Sequence, residues 1–313
     1  MNKQRAIVPP VYGFIITKPL QLMVVMTIIE QLPDEIIKEL IVIDAFFGAK
    51  KIVEELTISN PKWQRTVFFE NSSAAFRHCI KLRYDSLFLD SDVGFRKNID
   101  LIRLKLSTPK TRIAVYEEGL GSYRNDIYYG ARKRILSLIG VGVHFGGNWL
   151  TKEIYLFQPS DYINNCLEKT VDVILIKMVI SQLILKYEIE FDELFKLAEL
   201  KSYLTDASSN NVCDIYLTSW SWSSEAIKRL KQSDSCRIVK FHPHIKEVIL
   251  SSEFQFDVSV PPEIPAEILI TIASKIFKNV RVLHHGSSVV RYLNLKNVNF
   301  ELMKSNEKLR VNK

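Results

Sequence analysis

Three short polar clusters in this sequence have the residue types and spacing to do chemistry. They are Glu117-Glu118-Gly119 in VYEEGLGSY, His242-Pro243 in KFHPH and Ser287-Ser288 in HHGSSV. Two glutamates side by side at the end of an apolar run suit a general base. On an extended chain neighbouring side chains point to opposite faces, so one carboxylate can reach a ligand while the other orients it or caps the next helix. A like charge next door and partial burial raise a carboxylate pKa toward the range useful for proton transfer. The same pair could instead simply open a helix, where negative charge is favourable.

His242 puts an imidazole beside a proline that fixes the next turn. It can hydrogen-bond a phosphate or protonate a leaving group near neutral pH, or serve only as a satisfied structural group. Ser287 and Ser288, following Gly286, could cap a helix through their hydroxyls. A helix start of that kind also offers backbone N–H groups and a positive dipole end to an anion. A fourth cluster, Asp90-Ser91-Asp92, could hold a cation, but Asp-x-Asp is common in turns.

The elements that must position these residues alternate. Apolar runs at 11–17, 39–45, 65–70, 86–90, 112–118 and 153–159 are separated by segments with helical spacing. Runs rich in Val, Ile and Phe between helices predict parallel strands covered on both faces. A long helical region without strand signal is expected over about 162–203, and within it VDVILIKMVISQLILK (171–186) reads as a buried helix. The alternation then resumes with strands at 212–220, 236–243 and 279–285, a further strand in FQFDVSV, and helices in SSEAIKRLKQ, PAEILITIASKI and SVVRYLNL. The fold class predicted is α/β, with two Rossmann-like domains over 1–160 and 161–295 and a basic tail over 296–313. Every polar cluster falls at the carboxyl end of a predicted strand, where such sheets bind ligands.

Composition narrows the function classes. The 313 residues are 47% hydrophobic and 25% charged, values of a folded globular chain. The four cysteines have no metal-type spacing and imply a reducing, cytoplasmic setting. The N-terminal residues lack the apolar core of a signal peptide, and no apolar stretch reaches the roughly 20 residues of a membrane span. The net charge of +7 suits an anionic substrate or surface. Its lysines are scattered and no nucleic-acid motif is present, so nucleic acid is not an expected partner. Arg132-Lys133-Arg134 before ILSLIG could contact anionic lipid; the alternative favoured by the sequence is a solvated first turn on a buried helix.

Taken in order, these motifs resemble those of the bacterial sialyltransferases with the GT-B architecture. The nearest similarity is to the lipooligosaccharide sialyltransferases (glycosyltransferase family 52), with the bacterial polysialyltransferases as related families. The residues that carry it are Glu117-Glu118-Gly119, His242-Pro243, Ser287-Ser288 and an early Pro19-Leu20-Gln21, and it spans about residues 11–293. The resemblance implies two Rossmann-like domains facing across a cleft, the first on the acceptor side with the catalytic base, the second binding the CMP donor. It implies inverting transfer of sialic acid from CMP-sialic acid to a sugar hydroxyl of a surface glycan, lipooligosaccharide or capsule, with no cofactor and no metal. Glu118 would be the base, supported by Glu117, and His242 would act at the departing phosphate. Ser287 and Ser288 would grip that phosphate, with Gly119 and Pro243 also on the donor; Ser122 in GLGSY could lie against the donor carboxylate or belong to a plain turn before the helix. Glu267, or less directly Glu263, would bind the nucleotide ribose. The partners implied are a nucleotide sugar and a glycan or glycolipid acceptor. Peripheral contact with an anionic membrane and a homodimer are compatible with it.

Two rival readings rest on the same residues. One is a transferase using another nucleotide sugar, such as a UDP-hexose, with a metal held by Asp90 and Asp92. The other is a non-catalytic subunit of glycan assembly, in which the polar clusters are structural.

Overall fold

Seven parallel strands carry the first half of the chain: β1 (Val11–Ile16), β2 (Ile37–Ile43), β3 (Arg65–Phe69), β4 (Ser86–Leu89), β5 (Arg112–Tyr116), β6 (Glu153–Leu156) and β7 (Asp172–Leu175). Their order in the computed structural model is β3-β2-β1-β4-β5-β6-β7. The structure describes residues 9–59, 62–166, 171–219, 221–243, 256–304 and 307–308. The central strands are buried along their length because helices cover both faces. Phe14 of β1 stacks on Phe88 of β4 at 4.4 Å between ring centres. The first crossover helix, α1 (Pro19–Ile29), opens on a proline whose missing N–H costs nothing at that position, and it is apolar nearly all round. All of its residues from Gln21 to Ile29 are buried.

The other crossover helices of this half are α2 (Ala49–Ser59), α3 (Ser72–Leu82) and α4 (Phe95–Ser107). The Asn71 side chain caps α3 by accepting from the Ala74 N–H at 3.0 Å. Beyond β5 come α5 (Gly130–Leu138) and α6 (Pro159–Cys166).

The second half opens with three short helices, α7 (Ile180–Lys186), α8 (Glu188–Phe195) and α9 (Ala198–Asp206). A five-stranded parallel sheet comes next, built from β8 (Val212–Leu217), β10 (Cys236–Lys240), β11 (Val258–Val260), β12 (Asn279–His284) and β13 (Val298–Leu302) in the order β11-β10-β8-β12-β13. Its helices are α10 (Ser224–Lys231), α11 (Ala266–Ile276) and α12 (Val289–Tyr292). A two-residue strand β9 (Ser221–Trp222) pairs antiparallel with β14 (Glu307–Lys308). In both sheets the first strand lies inside, with the second and third on one side and the fourth on the other, the doubly wound pattern that leaves a switch point at the strand ends.

By contacts the chain divides into two compact units. One holds residues up to Thr17, Gln21–Asp44 and Leu56–Met178; the other holds Lys18–Leu20, Ala45–Glu55 and the chain from Val179 onward.

The structure corrects several expectations. The stretch 171–186 is not one helix: Asp172–Leu175 is edge strand β7, paired parallel with β6, and only Ile180–Lys186 is helical. A short unbroken run of branched apolar residues fits a strand or a buried helix equally well, and pairing with β6 decided it. The first sheet therefore extends past the boundary placed at 160. The tail from 296 contains β13, which pairs with β12 and completes the second sheet. The helix expected as SVVRYLNL is a single turn, Val289–Tyr292. The helix after the basic cluster, α5, has no buried residue.

Candidate active site

The two sheets each present a polar group at their carboxyl ends. In the first unit, β5 stops at Tyr116 and the chain turns out through Glu117, Glu118 and Gly119. Gly119 has φ +126°, a conformation that side chains disfavour, which is why the motif ends in glycine. It leads into a 3₁₀ turn over Leu120–Tyr123.

The turn separates the two carboxylates. Glu117 is fully buried. It accepts from the Tyr123 hydroxyl. It also accepts from the Phe157 N–H at 2.9 Å, while Tyr123 Oη accepts from the Gln158 N–H at 3.1 Å. Glu117 thus ties the end of β5 to the end of β6. Glu118 is half-buried, with its Oε1 toward Gly121, where an added Cβ would lie 3.3 Å away. Ser122 is buried and its hydroxyl accepts from the Glu118 N–H at 2.9 Å. It shapes the turn under Glu118.

Around Glu118 lie groups from the switch point of the sheet. Tyr116 donates to the Ile15 carbonyl, and burial together with the charges of Asp90 and Glu118 pushes its phenol well above the usual range. Asp90 accepts from the Thr17 hydroxyl at 2.8 Å and from Lys97 Nζ at 3.4 Å. Thr17 N also donates to Gln21 Oε1 at 2.6 Å.

Asp92 has a different task. It is fully buried, accepting at Oδ1 from Gly146 N at 2.9 Å and at Oδ2 from Asn148 N at 3.0 Å and the Thr151 hydroxyl at 2.7 Å. Burial raises its pKa, and those three donors with His144 oppose the rise. Its oxygens hold the 146–151 loop. Both Asp92 oxygens are thus spent on protein donors, and among the described residues no group of three His, Cys, Asp or Glu is arranged to hold a metal ion.

In the second unit β10 ends at Lys240, and Phe241, His242 and Pro243 come after it. The His242 N–H donates to the Thr218 hydroxyl at 3.1 Å, which joins the ends of β10 and β8. The Pro243 carbonyl accepts from the Phe47 N–H at 3.2 Å. Beside it Gly48 has φ +79°, and a Cβ there would sit 2.8 Å from the Glu263 Cβ. Both the backbone angle and the close approach require glycine. His244 lies outside the described residues.

Beyond β12, His284 Nδ1 accepts from the N–H groups of Gly286 and Ser287 at 3.1 and 3.2 Å. Burial and the neighbouring His285 lower the pKa of His284. Two of the amides at this strand end are thus engaged by an imidazole, and α12 is one turn long. Ser287 and Ser288 are half-buried at this strand end. Ser287 Oγ accepts from Val289 N at 3.4 Å.

Glu267, in the first turn of α11, is buried. Burial raises its carboxyl to about 7, opposed by its own backbone N–H and by Lys240. Lys240 is lowered to about 7 by burial, opposed by Glu267 and Glu263, and donates to the Phe241 and Pro262 carbonyls at 2.8 and 2.9 Å. Glu263 Oε1 lies 3.8 Å from Lys51 Nζ, while its buried Oε2 has no hydrogen-bond partner among the described residues.

Sequence reasoning named Asp90 but not Thr17 and Lys97, which bond to it, nor Thr218 and His284 at the ends of the second sheet. The paired histidines at the end of β12 were a visible signal; Thr218 carried none, because only the pairing of β8 with β10 brings it beside His242.

Neither family profiles nor curated protein sequences match the chain. Solved structures do. The chain is similar to an α/β-galactoside α-2,3-sialyltransferase from the luminous marine bacterium Photobacterium phosphoreum, at 12% identity and a TM-score of 0.55, over 93% of this chain and 90% of that one. It also matches a UDP-GlcNAc 2-epimerase from Neisseria meningitidis bound to UDP-GlcNAc, at 12% identity and a TM-score of 0.49, over 88% and 77% of the two chains. At that identity the first likeness speaks to fold: two parallel Rossmann-like sheets in the α/β class of the GT-B-type glycosyltransferases.

Proposed function

We propose that this protein is an inverting glycosyltransferase, moving sialic acid from CMP-sialic acid to a sugar hydroxyl of a surface glycan, as the motif resemblance to the lipooligosaccharide sialyltransferases implies. The observation that carries the reading is the division of labour at the end of β5, where Glu117 is locked in place and Glu118 is left half-exposed. A buried, doubly bonded carboxylate holds the turn; its neighbour is the one able to take a proton.

In the proposed reaction Glu118 removes the acceptor hydroxyl proton as the oxygen bonds to the anomeric carbon. The bond from that carbon to the CMP phosphate oxygen breaks, and the electron pair leaves with the phosphate. His242 gives that phosphate a proton or a hydrogen bond, and the Ser287 and Ser288 hydroxyls share its charge. The donor ionises readily, so positioning and charge stabilisation supply the catalysis without a cation.

The ribose contact is reassigned within the pair named from sequence. Glu267 is buried against Lys240, whereas Glu263 keeps one carboxylate oxygen without a partner. We favour Glu263 as the ribose acceptor. Glu263→Gln should weaken CMP binding and abolish the preference for CMP over 2′-deoxy-CMP.

The decisive experiment is thermal-shift screening against CMP, UDP and GDP, because a ligand that binds only the folded state raises the melting point. Stabilisation by CMP alone supports the reading. Stabilisation by UDP, with turnover abolished by chelation, would favour the UDP-hexose alternative. Asp92 argues against that alternative, since its oxygens already hold three donors. The expected setting is the cytoplasmic side of the membrane; no helix among the described residues is long and apolar enough to cross one.

A further inference from the structure

Helix α5 is built inside out. Ala131, Ile135 and Leu138 have i, i+4, i+7 spacing and form one stripe, joined by Ile139 one turn after Ile135. On a soluble surface helix such a stripe faces the core. Here it faces away: Ile135 is 59% exposed, Leu138 85% and Ile139 55%, while the partly covered side carries Lys133 and Leu136. Arg132 and Arg134 fall on opposite flanks of the stripe, and Arg132 lies over the Tyr128 ring at 5.1 Å.

Two aromatic rings extend the patch. Tyr129, at the helix start, is 70% exposed. Trp149 is 52% exposed and lies against Gly140, where an added Cβ would be 2.6 Å from its ring. Gly140, at φ +75°, thus gives the indole a fixed seat just past the helix end. Five large apolar side chains around a short helix, rimmed by arginines, exceed the scattered apolar exposure normal for a soluble surface.

We propose that α5 and Trp149 form a membrane-docking surface that takes a bilayer rich in anionic lipid. The apolar stripe would enter the boundary between headgroups and acyl chains, the rings would sit at headgroup level, and Arg132 and Arg134 would reach lipid phosphates from either side. Charge selects this occupant over a second copy of the chain: two α5 surfaces brought together would oppose arginine to arginine, in a protein with net charge +7. The inference does not depend on the transfer reaction, because its readout is binding and not turnover.

The test is co-sedimentation of the full chain with vesicles of phosphatidylcholine alone and of phosphatidylcholine mixed with phosphatidylglycerol. Binding is expected only to the anionic vesicles, falling with added salt and not competed by inorganic phosphate at matched ionic strength. Arg132→Glu/Arg134→Glu and Ile135→Ser/Leu138→Ser should each weaken partition by about tenfold or more. Leu106→Ser, at another exposed leucine, should not. Bromine-labelled acyl chains should quench tryptophan emission in the wild type and not in Trp149→Phe. These substitutions are on outward side chains, and unchanged melting curves would verify that the variants fold. Absence of binding by the wild type, equal binding by both double variants, or competition by free phosphate would overturn the proposal. So would a dimer, seen by analytical ultracentrifugation, that the apolar variant dissociates.

Discussion

Tyr123 donates its phenolic hydrogen to Glu117, which also accepts from the Phe157 N–H, so this carboxylate is fixed by two protein donors. Glu117 is buried between the ends of β5 and β6; Glu118, one residue on, is not. Glu118→Gln should therefore lower kcat by roughly 10²–10⁴ with an unchanged circular dichroism spectrum and melting point. Glu117→Gln should instead lower the melting point, because both donors would lose a charged acceptor. Tyr123→Phe should reduce kcat more than it raises KM, as a positioning residue would. A well-folded Glu118→Gln protein that turns over normally would end its assignment as base.

Thr218 holds His242 by its backbone N–H, and the proposed role at the phosphate falls to the imidazole. His242→Ala is expected to cost about 10² in kcat, and His242→Gln, able to hydrogen-bond a phosphate but not to protonate it, should recover part of that. Equal rates for both variants and the wild type would remove His242 from the site.

The approach of Gly48 to Glu263 makes a sharper prediction. Gly48→Ala would cost about 1–2 kcal/mol for its backbone conformation and push against Glu263. Calorimetric CMP affinity should fall roughly tenfold while the first unit keeps its structure by amide exchange. If CMP affinity is unaltered, Glu263 is not a nucleotide contact.

Buried Glu267 gives a pH signature. Its carboxyl titrates near 7 in the fold against an ordinary 4.5, so the folded chain binds the proton more tightly than the unfolded one. Its contribution to stability is fully present below 4.5 and is lost as pH rises through about 7. Glu267→Gln has no such loss. Between pH 5 and pH 8 the melting point of the variant should gain several degrees on that of the wild type. A constant gap would show that Glu267 is not buried as described.

Asp92→Asn should destabilise the first unit by roughly 2–4 kcal/mol, since an amide cannot accept all three of its donors. Urea titration measures this. Any remaining activity should be insensitive to EDTA, whereas a chelator-sensitive rate would revive a cation at Asp90.

Much of the fold was legible because parallel strands covered on both faces must be continuously apolar. RIAVY, CRIVK and NVRVLH read as strands from residue type alone, and the polar clusters fell at their ends. The edge strand Asp172–Leu175 was not legible, since nothing local separates a short apolar run in an edge strand from one in a helix. Nor was the outward stripe of α5: periodicity shows that a helix has an apolar side and cannot show which way that side turns.

The sequence by itself determined the two αβ series, the glycine that ends the Glu-Glu motif, and the chemical types available at each strand end, because all of these arise from local sterics and hydrophobic periodicity. Only the tertiary structure decided that the Phe157 N–H is spent on Glu117 and that the 146–151 loop is spent on Asp92. Those outcomes depend on partners dozens of residues away, brought near by strand pairing, and no spacing along the chain encodes them.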